Sequence, residues 1–368
     1  MIPPVVLGIE TSCDDTACAV LDGHGRVLAS VVSSQLAAHR PYGGVVPEIA
    51  SREHLSNWPA VSAEALAQAR ISMPQVNVVA ATRGPGLVGA LLVGLSIGKA
   101  MAFALDRPFY AVHHLEGHLY SPFLPPPGEP GPSMPAIRPP ESFVGLVVSG
   151  GHTSLFAVEA GEVSTLAETR DDAMGEVFDK VGKRLGLPYP QGPRVDQLAE
   201  RGDPAAHPLP VRPAGDDLFF SYSGLKSQAL LAIEKLERKL GLLELGDTEP
   251  PQEVLDLLAG FRTAAVAQVL DRLERLHRRR PIGLLAVSGG VAANRLLRCK
   301  LTAWAEERGV ELRLVPLAWS GDNAAMIAHA ALLRHRRGEA GDSLAAEAES
   351  RVPLRPRRDL DGNPHTEI

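Results

Sequence analysis

One pattern of strands and turns occurs twice in this chain, and that duplication restricts the folds open to it. Val5 to Ile9 is an apolar strand, followed by the polar turn Glu10-Thr-Ser-Cys-Asp-Asp-Thr16, a second strand (Ala17 to Leu21), the hairpin Asp22-Gly23-His24-Gly25 and a third strand (Val27 to Ser33). The same order returns as Phe143 to Ser149, the glycine turn Gly150-Gly151-His152-Thr153, Leu155 to Val158, the hairpin Ala160-Gly161-Glu162, and Val163 to Leu166. Helical segments follow each copy. The expectation is an α/β chain with two lobes of one topology and a cleft between them. With 368 residues, 45% of them hydrophobic, the chain is long for one domain and can bury large cores.

The expected division is a first lobe over residues 1–121, a Pro-rich loop over 122–141, a second lobe with a helical insertion over 142–340, and a tail over 341–368. Pro122 to Pro140 reads as an exposed, semi-extended loop, and Ala205 to Asp217 as another loop. Ser227 to Leu240 and Pro251 to Arg278 carry helical periodicity, and the tail from Arg351 reads as loosely ordered. Cys13, Cys18 and Cys299 are odd in number and lack the Cys-x-x-Cys spacing, which fits a reducing compartment. The N-terminus has no basic start, and Leu87 to Leu105, with Lys99 and several glycines, reads as a buried helix rather than a membrane span. A cytoplasmic protein without a membrane partner is expected. A net charge of -6 excludes a uniformly basic surface, so contact with a polyanion must be local. The runs Arg278 to Arg280, Arg334 to Arg337 and Arg355 to Arg358 read either as phosphate contacts or as solvated helix-end charge.

His114 and His118, in Val112-His-His-Leu-Glu-Gly-His118, are four apart, so a helix places both imidazoles on one face. That pair suits zinc or iron(II), and such an ion requires a carboxylate from elsewhere. Asp322, opening an apolar helix, is a ligand or an N-cap; Asp179 is a ligand or a surface acid; Asp14 and Asp15 hold an ion or water, or satisfy turn amides. Spacing leaves the choice open. Glycine turns recur at Gly150-Gly151, at Ser288-Gly-Gly-Val-Ala-Ala-Asn294 and at Gly84-Pro85-Gly86, where backbone amides can approach a phosphate or simply connect elements tightly. Phe220-Ser-Tyr-Ser-Gly-Leu-Lys226 offers hydroxyls and an ammonium to a phosphate, or a capped turn to the following helix. Glycine turns distributed over two lobes match the actin, sugar-kinase and Hsp70 class, built from duplicated ribonuclease H-like lobes, as a fold-level analogy.

Gly8-Ile-Glu-Thr-Ser-Cys-Asp-Asp-Thr16, Gly43-Gly-Val-Val-Pro-Glu-Ile-Ala-Ser-Arg52, Gly84-Pro-Gly-Leu-Val-Gly-Ala-Leu-Leu-Val-Gly94, His113-His-Leu-Glu-Gly-His118, Val148-Ser-Gly-Gly-His-Thr153 and the two motifs at 220–226 and 288–294 together resemble the TsaD family of tRNA threonylcarbamoyladenosine transferases. The likeness runs from Val5 to about Arg357. It implies an actin-like, two-lobed fold and transfer of a threonylcarbamoyl group from threonylcarbamoyl-AMP to adenosine. The acceptor would lie just 3′ of the anticodon in tRNAs reading codons that begin with adenine. It implies His114, His118 and Asp322 as ligands of iron or zinc, and Val147, Val148, Ser149, Gly150, Gly151, Asp179, Gly192, Asp196 and Asn294 as contacts of the substrate or of ATP. Asp14 or Asp15 is the expected base, or the group that orients the acceptor. The implied partners are the tRNA anticodon loop, a paralogous TsaB-like protein and a small TsaE-like ATPase. Three departures stand out: Gln191 where the family commonly has glycine, Asp14-Asp15 where it has Asp-Glu, and a longer proline-rich loop. Rival readings are a metallopeptidase, which needs a general-base glutamate beside the first ligand, and a nucleotide-binding scaffold, which needs no metal.

Overall fold

The computed structural model describes residues 3–126, 138–211 and 218–354. In the first lobe, β1 (Val6–Glu10), β2 (Asp15–Leu21) and β3 (Val27–Ser34) form an antiparallel meander. A short helix α1 (Leu36–His39) leads to the long α2 (Pro47–Ala69). The chain then crosses to β4 (Val78–Gly84), parallel to β1, and through α3 (Val88–Leu105) to β5 (Phe109–His113), parallel to β4. Helix α4 (His114–Tyr120) follows β5 without a loop. The sheet order is β3-β2-β1-β4-β5. Apolar residues at alternate positions, among them Leu7, Ile9, Cys18, Val20, Val79 and Ala81, meet Leu95 and Ala102 of α3 and Val61 of α2 in one core.

The second lobe repeats this frame. Strands β6 (Ser142–Val148), β7 (Thr153–Glu159) and β8 (Glu162–Glu168) form the meander. Four helices come next: α5 (Met174–Arg184), α6 (Gln191–Ala199), α7 (Ser223–Leu240) and α8 (Gln252–Arg279). β9 (Leu284–Ser288) lies parallel to β6, and α9 (Arg295–Arg308) carries the chain to β10 (Glu311–Leu314), parallel to β9. The order β10-β9-β6-β7-β8 is the order of the first sheet, so the duplication read from sequence is a duplication of topology.

The domain boundary differs from the expected one. The chain returns after β10, and Val315–Leu354 belongs to the first lobe, not to a second lobe over 142–340 or a tail over 341–368. The cause is α10 (Ala324–Arg336), buried from Ala324 to Leu333, an apolar helix that must be covered on all sides. It lies directly on β1: a Cβ at Gly8 would stand 2.4 Å from the Ala324 carbonyl oxygen and 2.9 Å from the Ala328 Cβ. The following segment is pinned along the same lobe. Asp342 Oδ2 accepts from the Ala111 amide (2.8 Å), the Glu349 amide donates to Arg83 O (3.0 Å), and Val352 O meets His113 Nε2 (2.9 Å).

Two further expectations change. Pro122 and Phe123 are buried in a 3-10 turn over Ser121–Phe123, because that turn continues α4 into the first lobe; residues 127–137 of the proline-rich loop lie outside the described residues, as do 212–217, Arg355, Arg357 and Arg358. Helix α3 is long and apolar enough to cross a membrane by length and composition, but it is not a fully buried helix. One face packs on the sheet and α2, while Val88, Leu92 and Phe103 face outward, Phe103 at 78% exposure.

His329 of α10 is buried, its Nδ1 has no hydrogen-bond partner, and burial holds its pKa down to about 4. The unfolded chain, at about 6.5, therefore takes up a proton first, and stability is lost as pH falls from about 6.5 toward 4. Urea unfolding at pH 7 and pH 5 will show about 2 kcal/mol more loss in the native protein than in His329→Leu.

Candidate functional site

β5 ends at His113, whose Nδ1 accepts from the Leu115 amide (3.1 Å) and so caps α4 at its first turn. His114 and His118 follow on one face of α4, with ring centroids 4.7 Å apart and planes nearly perpendicular (87°). α4 can lie close to α10 because of Gly117, where a Cβ would meet Ile327 Cδ1 at 2.9 Å and Met326 Cγ at 3.0 Å. That approach brings the Gly-Asp-Asn turn to the histidines. Asp322 Oδ1 lies 3.2 Å from His118 Nε2 and 3.5 Å from His114 Nε2. The α10 cap is Asn323, whose side chain accepts from the Met326 amide (3.0 Å), so Asp322 is not spent on capping.

The three ligand atoms lie within 4.8 Å of one another. Both histidines are buried and Asp322 is 30% exposed, so solvent reaches the cluster from the carboxylate side. Two imidazoles and one carboxylate form a donor set that fits zinc or iron(II).

Sequence reasoning missed what stands behind His114. Glu10, fully buried at the end of β1, places Oε2 3.1 Å from His114 Nδ1, and the same oxygen accepts from Thr82 Oγ1 (2.6 Å). Its Oε1 accepts from the Ser12 amide (2.5 Å), and Ser12 Oγ lies 3.3 Å from His114 Nδ1. Burial opposes ionisation of Glu10, but His114 outweighs it and lowers the carboxyl pKa. For His114, burial is overcome by Asp322 and Glu10, which raise the imidazole to about 9; burial lowers His118. An ionised Glu10 makes His114 Nδ1 the donor and leaves Nε2 directed at Asp322, the arrangement of a carboxylate behind a metal-binding histidine. The available signal was a glutamate closing an apolar strand, where a fully buried acid demands a partner.

Asp14 and Asp15 lie in the turn between β1 and β2. α3 grips this turn from one side: the Leu87 amide donates to Ser12 O (2.8 Å) and Thr11 Oγ1 to Ala90 O (2.9 Å). The glycines of the Gly84-Pro85-Gly86 motif and α3 serve close packing rather than anion binding: a Cβ at Gly86 would lie 2.5 Å from Ser12 O, and one at Gly94 2.2 Å from Thr11 Oγ1. Asp15 Oδ1 is buried without a hydrogen-bond partner. Burial, with the charges of Asp14, Asp322 and Glu10, raises its pKa to about 6 despite a hydrogen bond from Ser34.

In the second lobe, Val147 and Val148 are core residues of β6 and offer no side chain to a ligand. Ser149, Gly150 and Gly151 form the turn beyond them, held by Ser149 N to His152 O (2.8 Å). Gly289, at φ +92°, brings the third glycine turn against this one, since a Cβ there would sit 2.2 Å from Val148 O. Asn294 Nδ2 donates to Asp196 Oδ1 (2.6 Å), which also receives Arg262 Nη1 (3.2 Å), while Asn294 Oδ1 caps α9. Asp179, expected either as a ligand or as a surface acid, accepts from the Gly192 amide (2.7 Å), joining α5 to α6. The Phe220 to Lys226 motif is a capped turn: Asp171 receives Ser221 Oγ, Ser223 Oγ (2.7 Å) and the Tyr222 amide (2.7 Å), and Lys226 pairs with Asp172 (2.5 Å). The first two basic runs are likewise occupied, Arg278 by Glu274, Arg280 by Glu159, Arg334 by Asp342 and Glu339, and Arg337 by Glu339.

The family model described as TsaD, tRNA N6-adenosine threonylcarbamoyltransferase, matches residues 26–329. A protein of that name from Pelobacter propionicus is 48% identical over 328 residues, 88% of this chain and 90% of its own. Another from Thermus thermophilus is 45% identical over 351 residues, 95% and 98%. Among solved structures, T. kodakarensis HypF aligns with a TM-score of 0.58 at 15% identity, over 91% of this chain and 48% of that one. Component A of (R)-2-hydroxyglutaryl-CoA dehydratase from Acidaminococcus fermentans aligns at 0.50 and 14% identity, over 91% and 98%. These structures support the actin-like fold.

Glu10→Gln will keep the fold and lower zinc affinity by about 10–100-fold, read by competition with a chromophoric chelator. An unchanged affinity would mean that Glu10 does not orient His114.

Proposed function

Since the chain belongs to the TsaD family of tRNA N6-adenosine threonylcarbamoyltransferases, we propose that it carries the threonylcarbamoyl group from threonylcarbamoyl-AMP to the adenosine 3′ of the anticodon in tRNAs reading codons that begin with adenine. The observation that carries this reading is the convergence of His114, His118 and Asp322, with Glu10 behind His114. His114 Nε2, His118 Nε2 and an Asp322 oxygen would hold iron(II) or zinc. When bound, the ion supplies Lewis acidity toward a carbonyl or phosphoryl oxygen.

The reaction joins the adenine N6 to the carbamoyl carbon of a mixed anhydride, breaks the bond from that carbon to the phosphate oxygen, and releases AMP. N6 is a weak nucleophile because its lone pair is delocalised into the ring, so its proton must leave as the bond forms. Asp15 takes that proton: it is a half-buried carboxylate in the turn, and a pKa near 6 leaves it ionised at neutral pH. Asp14, beside it, orients the acceptor. The amides of Ser149, Gly150 and Gly151 hold the phosphate of AMP or ATP, and Asp179, Gly192, Asp196 and Asn294 frame the nucleoside. Metallopeptidase chemistry is disfavoured because Glu10, the carboxylate nearest the histidines apart from the ligand, is bound to the far nitrogen of His114 and cannot activate water.

The outward apolar residues Val88, Leu92 and Phe103 of α3, with Leu55 of α2, support docking of a TsaB-like protein, with a TsaE-like ATPase completing a cytoplasmic assembly. Mass spectrometry of tRNA nucleosides after incubation with threonylcarbamoyl-AMP will detect the modified adenosine with the native protein and none with His114→Ala. Asp15→Asn will retain its metal and lose product. In the native enzyme kcat/KM will drop about tenfold for each pH step below about 6, as Asp15 takes up a proton. Product formation by Asp15→Asn at the native rate would remove Asp15 from the chemistry.

A further inference from the structure

Between β3 and α2 the chain builds a ledge over the turn that carries Asp14 and Asp15. Its underside is a relay of buried polar side chains. His39 Nδ1 accepts from the Val46 amide (3.3 Å), so its Nε2 carries the proton that bonds Gln35 Oε1 (3.2 Å). Gln35 Nε2 then donates to His54 Nδ1 (3.1 Å), which also accepts from Thr16 Oγ1 (2.8 Å). His54 Nε2 donates in turn to the Cys13 carbonyl (3.0 Å), and the Gln35 amide donates to Asp14 O (2.9 Å). The ledge and the carboxylate turn are thereby one rigid piece.

The upper side is open. Arg40–Tyr42 forms a 3-10 turn closed by Gly43 at φ +63°, and a Cβ at Gly44 would meet nothing within 4 Å. Tyr42 is 61% exposed. The side chains of Arg40 and, in the second turn of α2, Arg52 are exposed and have no ion pair or hydrogen bond among the described residues, although Glu48 and Glu53 lie nearby in sequence. Elsewhere in this lobe Arg26, Arg83, Arg334, Arg336 and Arg337 are each tied to a carboxylate or carbonyl, whereas Arg70 and Arg107, at the far ends of α2 and α3, are also exposed without a side-chain partner among the described residues. An exposed aromatic ring with two unneutralised guanidinium groups is the equipment that reads single-stranded RNA: bases stack on the ring, and the cations take phosphates. An adenosine acceptor at N6 has to be unpaired, so its neighbours are unpaired or easily opened as well.

We propose that Arg40, Tyr42 and Arg52 form a contact surface for the single-stranded loop of the tRNA acceptor, Tyr42 stacking on a base beside the modified adenosine and the two arginines holding its phosphates. This rests on the reading of Asp14 and Asp15 as groups that face the acceptor. The test is binding of a labelled tRNA transcript to the full-length, metal-loaded protein across a salt series. Tyr42→Ala will weaken binding about tenfold with an unchanged melting temperature, and Tyr42→Phe, which keeps the ring, will bind as the native protein does. Arg40→Gln and Arg52→Gln will each reduce the slope of log K against log salt by about 0.7. Native affinity in Tyr42→Ala, equal loss in Tyr42→Phe, or unaltered slopes would each overturn the proposal; so would an effect confined to association with another protein. Asp15→Asn separates the two readings, because loss of turnover with native tRNA affinity tests the base alone and leaves the Tyr42 result to stand or fall by itself.

Discussion

Asp322 reaches His118 across 204 residues of sequence only because α10 lies against β1 with no side chain between their backbones at Gly8. Everything at the metal-binding cluster follows from that contact. Close helix-on-strand packing sets the height of the Gly-Asp-Asn turn, and Gly117 lets α4 approach the same helix, so two backbones rather than two flexible side chains fix the ligand separation. Any side chain at Gly8 would push α10 outward and carry Asp322 away from the imidazoles. The burial of α10 from Ala324 to Leu333 supplies the force that holds the contact closed.

The buried carboxylate Glu10 is an unusual feature of a core strand, and its environment explains how it is tolerated. It receives Thr82, the Ser12 amide and His114, so both of its oxygens are hydrogen-bonded and neither faces apolar neighbours unpaired. Asp15, a few residues on, is in the opposite condition: one oxygen is buried without a partner, and the group ionises reluctantly. Two carboxylates in one turn region thus have pKa values pushed apart, Glu10 lowered by the charge and hydrogen bond of His114 and Asp15 raised by burial and neighbouring carboxylates, which suits one to orientation and the other to proton transfer.

The same distinction separates motifs in the second lobe. The hydroxyls and amides at 221–223 are consumed by Asp171, and Lys226 by Asp172, so a stretch chemically suited to phosphate is instead a cap that starts α7. Ser149, Gly150 and Gly151, by contrast, stand at the edge of β6 with Gly150 and Gly151 facing open space. Composition could not tell these turns apart, because it does not reveal which donors already have internal acceptors.

The sequence by itself determined the duplicated strand meanders, the helical placement of His114 and His118, and the glycine turns, since all are set by spacing and local backbone preference within a few residues. It left Asp322 level with Asp179, Asp14 and Asp15; the likeness to a family chose among them, and local spacing had no means to. Tertiary structure decided that Asn323 rather than Asp322 caps α10, that Glu10 stands behind His114, that residues 315–354 return to the first lobe, and that Arg278, Arg280, Arg334 and Arg337 of the first two basic runs are paired with carboxylates. The physical reason is the same in each case. Which donor meets which acceptor, and which apolar face covers which, are properties of surfaces brought together from distant parts of the chain, and no local pattern records them.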